Sequence, residues 1–212
     1  MLIQAKAYDS EGGIGIVVSL RCPGCRQVGT FDAFTNVHDI RVDMQTLGQR
    51  RCPNPTCRTQ VFFVWSVQNN KLVVAYPAER IDFDTTDVPG EVKAALEEAI
   101  SCHASGCFRA SAIMVRRTLE ELCKNRGSTG ANLKERIKSL GGKVVLPQEL
   151  LDALDDLRLL GNDAAHIESQ EYNAVGQAEV EVGIAVAKEV LKAVYQYASL
   201  VKQLKALKKV TP

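Results

Sequence analysis

The chain has 212 residues, 46% of them hydrophobic and 24% charged, the composition of a globular protein. Twenty-six Lys and Arg against 25 Asp and Glu leave a formal charge of +1. That excludes a whole-protein field drawing in nucleic acid, so any basic surface must be local. No stretch approaches the roughly 18 uninterrupted apolar residues of a membrane span, and no interaction with a membrane is expected. The start, Met1-Leu2-Ile3-Gln4-Ala5-Lys6, lacks the basic flank and apolar run of a signal peptide. The expected location is cytoplasmic, where seven cysteines serve as ligands or buried thiols rather than disulfides.

Residues 1–76 read as short strands and turns. Ile14 to Leu20 is a β-rich run leading into Cys22, and Thr30 to Val42 can supply another short strand or two. Val61 to Val67 leaves Cys57, Asn69-Asn70 signals a turn, and Leu72 to Tyr76 returns as the second arm of a hairpin. The glycine-rich string Glu11-Gly12-Gly13-Ile14-Gly15 precedes a strand and opens no helix, so it reads as a turn. Residues 77–88 are a linker of proline and acidic residues, with Asp87 as an N-cap-type signal before Pro89.

From 89 to 212 the apolar period moves towards 3.6. Five helices are expected, at about 89–104, 107–125 (closed by Gly127), 131–140 (closed by Gly141-Gly142), from near Pro147 towards His166, and 171–209. The fold class is therefore α+β: a small β-rich zinc ribbon, then an all-α bundle. Walker-type, dinucleotide-binding and nucleophile-elbow glycine motifs are missing from the sequence.

Cys22-Pro23-Gly24-Cys25 and Cys52-Pro53-Asn54-Pro55-Thr56-Cys57 are two tight cysteine turns, 26 residues apart. Each can present two sulfurs to one ion, because Gly, Pro and Asn allow the reversal between them. Cys22, Cys25, Cys52 and Cys57 are expected to bind one structural Zn2+, with no position left open for water. His38, between the pairs, reads as a surface histidine. Around the site Arg21, Arg26, Arg41, Arg50, Arg51 and Arg58 form either a solvated rim or a phosphate-contacting surface. Trp65, Phe62 and Phe63 are either core residues or base-stacking ones.

In the fourth helix Arg158, Asn162 and His166 lie four apart, on one polar stripe. Histidine can move a proton near neutral pH and arginine can hold charge growing on phosphorus. The same residues also suit a capped helix end favoured by the helix dipole. Gly161 in mid-helix implies close helix approach or a local break. Arg109, Arg116 and Arg117 suit either salt bridges with Glu120, Glu121 or Asp155-Asp156, or a site role. Cys102, Cys107 and Cys123 read as small buried apolar residues.

The stretch from Pro89 to about Tyr197 resembles the "domain of unknown function 4145" family. The resemblance is carried by Glu97-Glu98-Ala99, Phe108-Arg109-Ala110-Ser111-Ala112, Arg116 to Glu120, Leu133 to Ile137, and Leu157 to His166. That family is similar to the HEPN superfamily of α-helical domains, found in prokaryotic defence and restriction, sometimes beside zinc ribbons. Many such domains are metal-independent ribonucleases whose motif runs arginine, a polar residue, three variable residues, histidine. Asn162 and His166 match, while Gly161 occupies the arginine position, so Arg158 or Arg117 would have to replace it. The resemblance implies a homodimer, and the fifth helix has apolar surface for both core and interface. Its Lys202, Lys205, Lys208 and Lys209 suit a solvated helix end or phosphate contact.

Two functions follow as expectations. One is an antiviral-type, metal-independent endoribonuclease with His166, Asn162, Arg158 and Arg117 as catalytic residues acting on RNA. The other is a non-catalytic adaptor that binds nucleic acid or protein through the ribbon, dimerises through its helices, and docks on a larger defence or restriction complex.

Overall fold

The computed structural model describes residues 9–10, 16–165 and 175–207, with the backbone alone for Asp9, Ser10 and Ala198. The glycine-rich turn at 11–15, His166, the predicted start of the fifth helix, Lys208 and Lys209 lie outside the described residues. The chain divides into two compact units, Met1–Asp82 and Phe83–Pro212. The division falls inside the predicted linker.

The first unit contains β1 (Asp9–Ser10), β2 (Ser19–Arg21), β3 (Val28–Thr30), β4 (Asp32–Ala33), β5 (Ile40–Val42), β6 (Gln45–Arg51), β7 (Gln60–Ser66) and β8 (Lys71–Tyr76). β2 and β3 pair as a hairpin. The others form one antiparallel sheet in the order β1-β5-β6-β7-β8, with β4 also against β6. Val18, Leu20, Phe31, Val61 and Phe63 close over Cys22 and Cys52 as its core. The predicted hairpin is present as β7–β8, and Asn70 takes the left-handed conformation (φ 47°) its turn requires.

The central strand β6 is not visible as a strand in its sequence, Gln45-Thr46-Leu47-Gly48-Gln49-Arg50-Arg51, because it has no apolar alternation. Its two buried residues are Thr46 and a charge, Arg50. Arg50 is buried and donates from Nη1 to Asp39 Oδ1 at 2.8 Å and from Nη2 to Oδ2 at 2.6 Å. Its guanidinium also lies 4.6 Å from the centre of the Phe63 ring. Gly48 makes this approach possible, since a side chain there would collide with Asp39 and the Phe63 ring.

The second unit contains α1 (Gly90–Ala104), α2 (Phe108–Asn125), α3 (Leu133–Gly141), α4 (Gln148–Ala165), α5 (Gln177–Leu191) and α6 (Tyr197–Ala206). Predicted starts and stops hold to within about two residues for α1 to α3. α2 packs against α1, α3, α4 and α5, burying Ala112, Val115, Leu119 and Leu122 against Leu96, Leu157, Leu160 and Ile184 of the same core. Gly127, at φ 63°, closes α2, and its amide donates to the Lys124 carbonyl at 3.0 Å. Asn132 caps α3 by accepting from the Glu135 amide at 3.0 Å, while Glu135 accepts from the Ala131 amide at 2.8 Å.

Two sequence expectations are corrected. Asp87 does not cap α1. It sits in a left-handed turn at φ 60°, and Pro89 stands at the N-cap without a side-chain cap. The Pro89 carbonyl accepts the first helical bond, from the Lys93 amide at 2.9 Å. The last helix is also not uniform, because a π-helical turn, Lys192–Gln196, joins α5 to α6. The wider turn buries both Tyr195 and Gln196. Tyr195 donates to Asn125 Oδ1 at 2.9 Å, and Gln196 donates to the Asp84 and Thr86 carbonyls at 3.0 and 3.1 Å. Arg126 stacks 4.2 Å from the Tyr195 ring centre and donates to the Val194 carbonyl at 2.7 Å.

Candidate functional site

The two cysteine turns converge. The sulfurs of Cys22, Cys25, Cys52 and Cys57 all lie within 4.8 Å of one another, with Cys22–Cys57 at 3.6 Å and Cys25–Cys52 at 3.8 Å. A disulfide needs sulfurs about 2.05 Å apart, whereas four sulfurs each about 2.3 Å from one ion stand about 3.8 Å apart along a tetrahedral edge. All seven cysteines are free thiols, and the four here match the second geometry.

The turns are built alike. Arg26 and Arg58, each just after the second cysteine of its turn, adopt left-handed conformations (φ 64° and 52°). Their amides donate to the Cys22 carbonyl at 2.9 Å and the Asn54 carbonyl at 3.1 Å. The amides of Gly24 and Cys25 point at Cys22 Sγ, at 3.4 and 3.5 Å. Gly24 is required because a Cβ there would collide with Thr59 Oγ1 and stand 3.1 Å from Cys57 Sγ. The Thr59 hydroxyl, 3.0 Å from Cys57 Sγ, and its backbone hold that thiol down at about 6. Burial pushes Cys52 up to about 12. A cation among the sulfurs would remove the obstacle to ionising Cys52, since metal binding displaces thiol protons. His38 is exposed and stands apart from the group.

The arginines around the turns are largely neutralised. Arg21 faces Glu79 at 3.7 Å, Arg26 faces Asp82 at 3.5 Å, Arg58 faces Asp32 at 3.6 Å, and Arg50 is buried on Asp39. Arg51 lies 5.4 Å from the Phe34 ring centre. Of the three aromatics, Phe63 is core and Trp65 packs half-buried against that core, so only Phe62, 57% exposed, presents a free ring. Phe62 pairs across strands with Tyr76, 72% exposed. Together with Val37, Ile40, Leu47 and Val74 they line an apolar groove of about 310 Å³ on the sheet.

In the helical unit both predicted catalytic arginines are engaged by carboxylates. Arg158 Nε donates to Asp155 Oδ1 at 2.6 Å, and that guanidinium holds the Asp155 carboxyl below its usual range. Arg117 is engaged by Glu121 at 2.5 Å and Glu120 at 3.5 Å. The arginine that reaches the motif is Arg116, whose Nη1 donates to Asn162 Oδ1 at 3.2 Å and to the Arg158 carbonyl at 3.3 Å. Its Nε lies 3.4 Å from Glu120. Gly161 explains this arrangement. It is buried in an unbroken helix, where a Cβ would collide with Arg116 Cβ and stand 3.1 Å from the Ala112 carbonyl. The mid-helix glycine therefore marks the close approach of α2 and α4. Periodicity in α2 could have singled out Arg116, which follows Ala112 by one turn and precedes Leu119 on the buried side, whereas Arg117 follows exposed Ile113.

The remaining cysteines form no second site, since the ribbon four are the only metal-capable group among the described residues. Cys123 is buried, and burial raises its thiol to about 11. Cys107, expected in the core, is instead exposed at the start of α2, and Cys102 is half-buried. His103 pairs with Glu181 at 3.1 Å.

The fold and site define a two-unit protein: a β module gathered around four cysteines, then a helical bundle crossed tightly at a glycine. The chain belongs to the family described as Domain of unknown function (DUF4145), whose model matches residues 97–209. Comparison with curated proteins and with solved structures finds no match. No helix among the described residues is long and apolar enough to cross a membrane.

Proposed function

We propose that this protein is a zinc-ribbon adaptor: a non-catalytic module with one structural Zn2+, a protein-binding sheet, and a HEPN-like helical unit that pairs with a second copy. It would act in the cytoplasm as part of a larger defence or restriction complex. The observation that carries the non-catalytic reading is the engagement of Arg158 by Asp155 and of Arg117 by Glu121 and Glu120. Carboxylates beside both arginines oppose an incoming phosphodiester. The metal's identity rests on the donor set: four thiolates at tetrahedral separations suit Zn2+, and a closed four-sulfur site is structural. The Phe62–Tyr76 groove, apolar apart from His38 and Gln49 and lined by no lysine or arginine, suits a polypeptide rather than a phosphate backbone.

One measurement of each kind tests this. Metal analysis of the purified protein should give one zinc per chain. A photocrosslinking amino acid at position 62 should capture a polypeptide in cells; RNA adducts would overturn the protein-binding reading.

A second reading, a metal-independent endoribonuclease, is favoured by one specific contact. Arg116 holds Asn162, one helical turn before His166 in sequence. In that case His166 moves the proton as the RNA 2′-hydroxyl attacks the adjacent phosphate, and Asn162 orients the phosphate. RNA should then be cut without added divalent metal, and His166→Ala should lower the rate ~10²–10⁴-fold, the usual contribution of a general acid or base. The adaptor reading expects no cleavage by either chain.

A further inference from the structure

We infer that Thr59 is a positioning residue of the metal site, whose hydroxyl holds the Cys57 thiolate towards the ion and sets how tightly zinc binds. The inference rests on the four-sulfur zinc reading above. Thr59 is half-buried and meets the site in three ways. Its Oγ1 lies 3.0 Å from Cys57 Sγ. Once that sulfur is a thiolate, the hydroxyl is the only one of the two that can donate. The Thr59 carbonyl accepts from the Cys52 amide at 2.8 Å. The hydroxyl also fills the space that a side chain at residue 24 would take, so Gly24 of the first turn is what admits it. One residue therefore ties both cysteines of the second turn to each other and abuts the first.

A contrast between the two turns gives the hydroxyl its meaning. Both turns close with the same backbone bond, from the amide of the first cysteine to the carbonyl two positions past the second. Cys22 donates to Gln27 at 2.9 Å and Cys52 to Thr59 at 2.8 Å, so Gln27 and Thr59 are equivalent positions. The Gln27 side chain is engaged away from sulfur, accepting from Asn54 Nδ2 at 3.2 Å, whereas that of Thr59 reaches Cys57. The amides also differ. In the first turn those of Gly24 and Cys25 point at Cys22 Sγ. In the wider second turn Pro53 and Pro55 carry no amide hydrogen. There the Thr56 amide donates to Asn54 Oδ1 at 3.0 Å and the Cys57 amide to the Asn54 carbonyl at 3.1 Å. The second turn commits two amides to its own longer loop, and the Thr59 side chain supplies a donor to sulfur. Four thiolates around a divalent ion carry surplus negative charge. A donor aimed at one of them stabilises that charge and fixes the direction of the ligand.

Competition for zinc between the full chain and a chelating dye tests this. Thr59→Val keeps the β-branched shape and removes the hydroxyl. It should bind zinc ~10–100-fold more weakly, the usual cost of losing an outer-shell partner. Thr59→Ser keeps the donor and should bind as the wild type does. Cobalt(II) in place of zinc reports on the sulfur itself. In Thr59→Val the sulfur-to-cobalt charge-transfer band should move to longer wavelength, because a thiolate with one hydrogen bond fewer gives up an electron more readily. The ligand-field bands should stay tetrahedral. A wild type that binds no zinc overturns the zinc reading itself, and this inference with it. A wild type that binds one zinc, beside a Thr59→Val chain that binds it equally well, overturns the role of Thr59 alone. So does a Thr59→Ser chain as weak as Thr59→Val, or a charge-transfer band that does not move.

Discussion

The two units of this chain hold themselves together by different means. In the β unit the central strand points an arginine inward, and the core is completed by cysteines. In the helical unit the centre of α2 is Ala112, Val115, Leu119 and Leu122, and its charged pairs lie at the margin of that core, with Glu121 buried beneath exposed Arg117 and Lys124. The difference follows from size. A module of about 80 residues with short strands buries too little apolar surface for comfortable stability, and its core holds four clustered cysteines that could bind a metal and a buried ion pair. The helical unit has long amphipathic faces to bury and spends its polar residues on caps, helix crossings and pinning the π turn. The lesson is that in the β unit Arg50 is structural and Arg21, Arg26 and Arg58 face carboxylates at its surface.

The comparison breaks most visibly at the cysteines. Stripping the metal, or Cys52→Ser, should unfold the β unit and leave the helical unit standing, because structural zinc supplies about 10–16 kcal/mol in small modules. Trp65, the single tryptophan, packs against the ribbon core. Its emission should shift to the red while the helical far-UV signal persists; loss of both together would show that the units do not fold separately. Acid should do the same, because protons compete with metal for the thiolates, and burial raises the Cys52 thiol to about 12. Metal release should therefore increase as pH falls, followed by chelator-dye absorbance.

Next in size is the buried pair. Asp39→Ala leaves the Arg50 guanidinium buried without its carboxylate and should cost about 3–5 kcal/mol, read as a lower melting temperature for the Trp65 signal alone. Smaller again is the helix crossing. Gly161→Ala improves helix propensity by about 1 kcal/mol, but the added methyl meets Arg116 and the Ala112 carbonyl. A net loss within the ~1–3 kcal/mol usual for overpacking should appear in denaturant titration of the helical signal; a gain would show that α2 and α4 separate freely.

The smallest effect is at Asp155. Its folded pKa is depressed, first by the hydrogen bond from Arg158. Stability from this pair is present above the ordinary carboxylate range and is lost as pH falls through the folded value. Asp155→Asn should therefore flatten the acid limb of the helical unit's stability curve slightly and leave neutral pH almost unchanged, as expected for a pair with partial exposure.

Legibility in the sequence tracks local chemistry. The cysteine turns, the β7–β8 hairpin, Gly127 as a stop and Pro147 at a start were readable because each is decided within a few residues. The Asn132–Glu135 cap is equally local, an Asn-x-x-Glu pattern that closes on itself. β6 was not readable, since its place at the centre of the sheet depends on Asp39 and Phe63 receiving Arg50. The contacts of Arg158 and Arg117 were not readable for a related reason. Neighbouring carboxylates on the same helices claim both, while Arg116 reaches Asn162 only because α2 and α4 cross at Gly161.

What the sequence determined by itself is the four-sulfur cluster and the division into a β half and a helical half, because ligand spacing and hydrophobic period are properties of the chain. The tertiary structure alone decided which arginine meets Asn162, why residue 161 must be glycine, that Arg21, Arg26, Arg50 and Arg58 face carboxylates, and that α6 carries exposed apolar side chains. Each of these depends on which surfaces approach within a few ångströms, and that distance is set by packing between segments far apart in the sequence.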